Sequence, residues 1–172
     1  MAIKTFNTES NPQSQVLPTQ TAVLKQMLQA FGQQLRVGLP GYFVSYDYKT
    51  QLATVQPSFS NQYPDGTVSP MPQIYNVPVR WPSSSISYDH HPIVAGDRCT
   101  LHFADKALDL WLSSGATSQP DDNRTHHISD AWAEPGLRPT SEPLPVSNGE
   151  DLLRTIGNLQ LRMKANGHVQ LF

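Results

Sequence analysis

Charge, cysteine and long apolar runs are all scarce in this chain of 172 residues. Lys, Arg, Asp and Glu make up only 15% of it and the formal net charge is −2. A basic groove for a phosphate backbone is therefore not on offer, and no nucleic-acid partner is expected. A single cysteine, Cys99, excludes an internal disulfide. It sits in an alternating segment, which favours a small buried thiol over a reactive one. No stretch reaches the roughly 18 apolar residues of a membrane span. The first ten residues, MAIKTFNTES, hold no apolar core of the kind a secretory signal needs. The expectation is synthesis in a cytoplasm and solubility until assembly. What is abundant is proline, with 15 copies. Low charge with many prolines argues against a long helical bundle and for short strands joined by Pro-rich connections.

Residues Met1 to Pro18 are polar and rich in Asn, Gln and Ser, a composition that stays disordered unless an assembly orders it. The spacing then predicts a helix over Thr19 to Arg36, with Val23, Leu24, Met27, Leu28, Phe31 and Leu35 on one face. Thr19 or Thr21 can cap its start, and Gly38 and Pro40 stop it. The narrow apolar stripe suits either the end of the chain's own domain or a docked partner. Alternation over Gly41 to Tyr48 and over Gln51 to Phe59, with Lys49-Thr50 between, predicts a hairpin. Pro64-Asp65-Gly66 is a turn signal. Further strands are expected at Ile74 to Trp81, from Arg98 through Asp105, and at Ala107 to Gly115. Five short strands in this order, with the longer insertion after the second, fit a small Greek-key barrel, of OB or SH3-like type. The polar remainder, up to Gly136, shows neither helical nor strand period, and so long a loop suggests a small β-barrel built to be gripped by neighbours. Leu137 to Ser147 reads as an extended Pro-rich linker.

The tail alternates again. Leu159, Leu161 and Met163 face one way, Asn166-Gly167 turns, and Val169 and Leu171 resume the pattern. One hairpin is marginal in water. Copies of the chain around a symmetry axis would complete it, so these five residues are the expected lining of such an axis. Candidate chemistry is thin. His90-His91 and His126-His127 are adjacent pairs without metal-ligand spacing, so they read as polar loop residues and no metal is assigned. Asp121, Asp122 and Glu134 lack an opposed carboxylate, and no serine stands in a nucleophile elbow. Catalytic residues and cofactors are thus expected to be absent. Tyr42, Tyr46, Tyr48 and Tyr75 could form a stacking platform for bases, but Lys49, Arg80 and Arg98 are too few and scattered to accompany it.

An ordered set of short motifs carries a resemblance. It runs through Leu39-Pro40-Gly41, Val44-Ser45-Tyr46-Asp47, Thr54-Val55-Gln56-Pro57, Val77-Pro78-Val79, Gly96-Asp97, Phe103-Ala104-Asp105, Leu110-Trp111 and Ser114-Gly115. Arg124, His126 through Ala131 and Pro135-Gly136-Leu137 complete it. Over about residues 38 to 138 the chain resembles the central spike proteins of contractile phage tails, whose N-terminal domain is an OB-fold. The resemblance implies a mainly β homotrimer on the tail axis, within the baseplate of the virion. Residues 1–37 would attach to the hub through Val23, Leu24, Met27, Leu28, Phe31 and Leu35. Residues 38–137 would form the OB-fold, 138–150 a linker and 151–172 an intertwined triple-stranded β region. Such spikes pierce the host outer envelope. Some hold a metal at the tip through His-X-His, whereas this tail has only His168. Either a separate needle protein docks on the C-terminal end or the spike is a stub. The rival readings are an OB-fold module for oligosaccharide or single strands, and a tail-borne cell-wall hydrolase.

Overall fold

The computed structural model describes residues 19–63, 65–117, 119–146 and 149–172. The polar segment Met1 to Pro18, Pro64 of the expected turn and Ser147 at the end of the expected linker lie outside them. In chain order the elements are α1 (Gln20–Gln34), β1 (Gly38–Asp47), β2 (Leu52–Pro57), β3 (Ser60–Gln62), β4 (Val68–Pro70), β5 (Ile74–Pro78) and β6 (Arg98–Phe103). They continue with α2 (Asp109–Ser114), β7 (Ala131–Pro135), β8 (Leu152–Ile156), β9 (Leu159–Met163) and β10 (Val169–Leu171). The chain divides into two compact units, one of residues 1–37 with 103–130, the other of residues 38–102 with 131–172.

The larger unit is mainly β. Its five-stranded sheet has the order β5-β2-β1-β6-β7. The hairpin of β1 and β2 is the expected one, closed around Lys49 and Thr50, with the Lys49 amide donating to Asp47 Oδ1 at 2.9 Å. The sheet curls because β1 is bulged between Phe43 and Ser45, and β2 shifts register between Ala53 and Val55. Bulges bend a strand and raise its twist. The two outer strands approach each other at a parallel bridge between Val79 and Ala133, where the Arg80 amide donates to the Ala133 carbonyl at 2.8 Å. This order, with antiparallel neighbours and a parallel edge contact, is consistent with an OB-like fold. Alternating residues fill the inside: Phe43, Val55, Val77, Cys99, Leu101 and Ala133 are each at most 1% exposed.

Three predicted features are corrected. Ala107 to Gly115 is not the fifth strand; its centre is helix α2, ended by Gly115 in the left-handed region at φ 64°. Six residues of alternating Leu fit a short helix as well as a strand, and a C-terminal glycine in that conformation is a helix stop. The fifth strand is β7, which falls inside the segment expected to be irregular. Ser60 to Met71, read only as a turn region, also carries the β3–β4 hairpin.

The C-terminal residues of this unit form a meander, β8-β9-β10, antiparallel throughout. The β9–β10 hairpin turns at Asn166-Gly167 as expected, with Gly167 at φ 84°. Strand β8 adds a third member that the sequence pattern did not reveal.

The smaller unit contains α1 and the excursion between β6 and β7. Thr19 caps α1, its Oγ1 accepting from the Ala22 amide at 3.3 Å. The chain after the helix is held by the Phe103 amide, which donates to the Val37 carbonyl at 3.2 Å.

Close backbone approach leaves little room for a side chain at Gly41. A Cβ there would lie 3.0 Å from the Gln56 carbonyl oxygen and 3.1 Å from Val55 Cγ1. Gly41→Ala is therefore expected to destabilise by about 1–3 kcal/mol, as overpacking does. Leu101→Ala, which opens a cavity instead, should cost about 3 kcal/mol. Urea unfolding midpoints at constant m-value check both.

Candidate assembly surfaces

Six of the residues predicted to contact a partner lie together. Val23, Leu24, Met27, Leu28 and Phe31 project from α1, Leu35 follows at its C-cap, and all six are exposed. The only charged side chains from Thr19 to Val37 are Lys25 and Arg36. An exposed apolar stripe of this kind is a candidate docking surface.

The excursion from Phe103 to Asp130 is organised around one buried carboxylate. Asp130 is 1% exposed. Its Oδ2 receives Arg124 Nε at 2.6 Å, and its Oδ1 receives Arg124 Nη2 and the Leu108 amide, each at 2.9 Å. Arg124 also pairs with Asp122 and with Asp109 at the start of α2. The Asp130 carbonyl accepts from the Ala104 amide at 2.9 Å. The hydrogen bonds from Arg124 hold the Asp130 carboxyl below its ordinary 3.8, against the opposing effect of burial. Arg124 is raised in turn, first by Asp130 and then by Asp109. Arg124 and Asp130 stand among the residues that carry the family resemblance, but the sequence pattern did not reveal that they pair. Beside it, His126 Nδ1 donates to the Arg36 carbonyl at 2.9 Å, and its Nε2 lies 3.4 Å from Asp105 Oδ1.

The C-terminal sheet is two-faced. Register places Leu152, Met163 and Val169 in one row across the strands, Arg154, Leu161 and Leu171 in the next, and Ile156 with Leu159 in the third. All eight share a face, because alternate residues do so on every strand. The opposite face carries Leu153, Thr155, Gln160, Arg162 and Gln170. Thus Leu159, Leu161, Met163, Val169 and Leu171, the five predicted axis residues, lie on one surface, joined by Leu152 and Ile156 from the unforeseen strand. Leu171 is 70% exposed and Ile156 63%. The one charge on that face, Arg154, reaches Asp89 at 3.4 Å. On the other face Arg162 pairs with Asp151.

The remaining candidates are dispersed. Cys99 is fully buried, and desolvation pushes its thiol up to about 12, which keeps it protonated and unreactive. His90 packs on Trp81 with ring centres 4.7 Å apart and shares a hydrogen bond of 3.1 Å with Tyr46. Tyr48 and Tyr75 are exposed. Trp132 stacks on His102 at 4.1 Å beneath Arg80, with Glu134 paired to Arg80. Among the described residues no group of three or more His, Cys, Asp or Glu could hold a metal. No described helix is long and apolar enough to cross a membrane.

A curled OB-like sheet with an exposed apolar helix and an exposed apolar meander is thus the class of molecule defined here. Residues 39–136, more than half the chain, match the family model for the N-terminal domain of the phage protein Gp138, and the chain belongs to that phage protein family. No curated protein matches the chain in a sequence search. Membership points to a virion-associated role.

The Asp130 cluster predicts a pH dependence. A carboxyl held low in the folded state contributes stability in full above its ordinary range, and this is lost as pH falls through the folded value. The expected loss of stability therefore begins near pH 4 and deepens below it. Asp130→Asn should cost about 3 kcal/mol at neutral pH, as breaking a buried pair does. It should also flatten the profile below pH 4, read by urea titrations at stepped pH.

Proposed function

We propose that the protein is the central spike of a contractile-tail baseplate, acting as a homotrimer. The observation that carries this reading is the apolar face of the C-terminal sheet. Seven of its eight side chains are apolar, from Leu152 to Leu171, and the sheet's opposite face is mostly polar. Such a face needs a cover, and three copies closing around an axis supply one that is identical for each chain. The polar residues would then face water.

In this reading the OB-like sheet plugs the tail tube, and α1 attaches it to the baseplate hub through Val23, Leu24, Met27, Leu28, Phe31 and Leu35. The C-terminal region forms or carries the point that crosses the host envelope, either directly or beneath a separate needle protein. Sheath contraction supplies the energy, so the chain contributes stiffness and shape instead of catalysis. Family membership supports a phage structural role, and the covered position of Cys99 and the Arg124-bound state of Asp130 leave two of the most chemically distinctive groups inert.

Light scattering of the purified chain should give the mass of three copies. Leu171→Asp places a charge on a side chain that is exposed in the single chain. It should abolish the trimer while the near-UV signature of the OB-like unit persists. A monomer in the wild type, or a trimer indifferent to Leu171→Asp, refutes the reading.

A further inference from the structure

At the root of α1 lies a cavity of about 500 Å³, lined by Phe31, Leu35, Arg36, Thr125, His126 and His127. That size is in the range that holds a small ligand or a large side chain. Its lining divides by chemistry. Phe31 and Leu35 make an apolar floor that continues the exposed stripe of α1. The rest offers donors. Among the described residues Arg36 has no carboxylate within ion-pairing distance of its guanidinium. His127 Nδ1 accepts from the Ser129 amide at 3.2 Å, which puts the proton of the neutral ring on Nε2. Thr125 adds a hydroxyl. Among the described residues no carboxylate belongs to the lining.

An apolar floor beside a guanidinium with no carboxylate partner among the described residues, and an imidazole N–H, fits a group that is greasy at one end and anionic at the other. We propose that this cavity anchors the hub partner by taking one of its apolar side chains together with a neighbouring carboxylate. The proposal rests on the attachment of α1 to the hub, and deepens it. The stripe supplies area, while the cavity supplies direction and selects an acidic partner. Arg36 is the residue that reads the charge, because a guanidinium meets a carboxylate through paired hydrogen bonds.

The test uses the full chain and a minimal probe, N-acetylphenylalanine, with its neutral amide as control. Site-resolved NMR should show saturable shifts confined to Phe31, Leu35, Arg36 and residues 125–127. The carboxylate form should bind about tenfold more tightly than the amide, a gap that Arg36→Gln removes. Equal binding of the two probes, or no saturable shift at these residues, overturns the anchor. Co-sedimentation with purified hub protein separates the two claims. Arg36→Gln should weaken it and Leu28→Asp, outside the cavity, should abolish it. Recruitment lost only with Leu28→Asp leaves the hub reading standing and sinks the anchor. Recruitment insensitive to Leu28→Asp sinks the hub reading itself, whatever the probe does.

Discussion

The carboxylate of Asp130 is the constraint on which the centre of the chain depends. Between β6 and β7 lie 27 residues whose one regular element, among those described, is the short helix α2. A segment of that length has no hydrophobic reason to adopt one path. Asp130 gives it one by gathering the Leu108 amide, both faces of the Arg124 fork and, through its carbonyl, the Ala104 amide. Burying a charge is unfavourable unless every lone pair is used, so the cluster tolerates few alternative arrangements. The next residue, Ala131, opens β7. The buried ion pair thus fixes the residue that immediately precedes the fifth strand.

The two ends of the chain follow a different logic. Neither α1 nor the C-terminal sheet buries its apolar residues within the described chain to any depth, and both keep their polar residues segregated. In the OB-like sheet, by contrast, nearly every inward residue is buried. The chain thus finishes one core by itself and leaves two half-finished surfaces. Local turn chemistry is enough to shape those surfaces in advance. Gly157 and Gly167 adopt positive φ at the two tight turns of the meander, and Thr19 caps the helix. A partner at either face would meet it preformed, which lowers the ordering cost of association.

How much of this was legible in the sequence follows from how local each determinant is. The helix was readable because its stripe and its cap lie within one stretch. The β1–β2 and β9–β10 hairpins were readable because alternation and turn residues occur together. Strand β7 was not, since Ala-Trp-Ala-Glu-Pro has two small inward residues and takes its place from strands far away in sequence. Helix α2 was misread as a strand because its first free amide is satisfied by Asp130, 22 residues on. Strand β8 was missed for a related reason. Leu152, Arg154 and Ile156 alternate with Leu153 and Thr155, a pattern blurred by an arginine on the apolar face and a leucine on the polar one. Five members of that face were nonetheless foreseen from alternation alone.

Arg154 shows why the meander's face need not be apolar throughout. It stands halfway along the edge strand β8, opposite Leu161 in the row that continues to Leu171, and its guanidinium reaches Asp89 in the loop after β5. An exposed pair of this kind contributes little to stability. Its effect is on choice. A face of uniform leucine would accept many registers and many partners, whereas a charge within it penalises any arrangement that buries the guanidinium without its carboxylate. On the proposed trimeric reading, the apolar rows on either side would drive closure and Arg154 would limit the ways of closing. The low overall charge makes such a single residue count for more, because few other charges compete to set the arrangement.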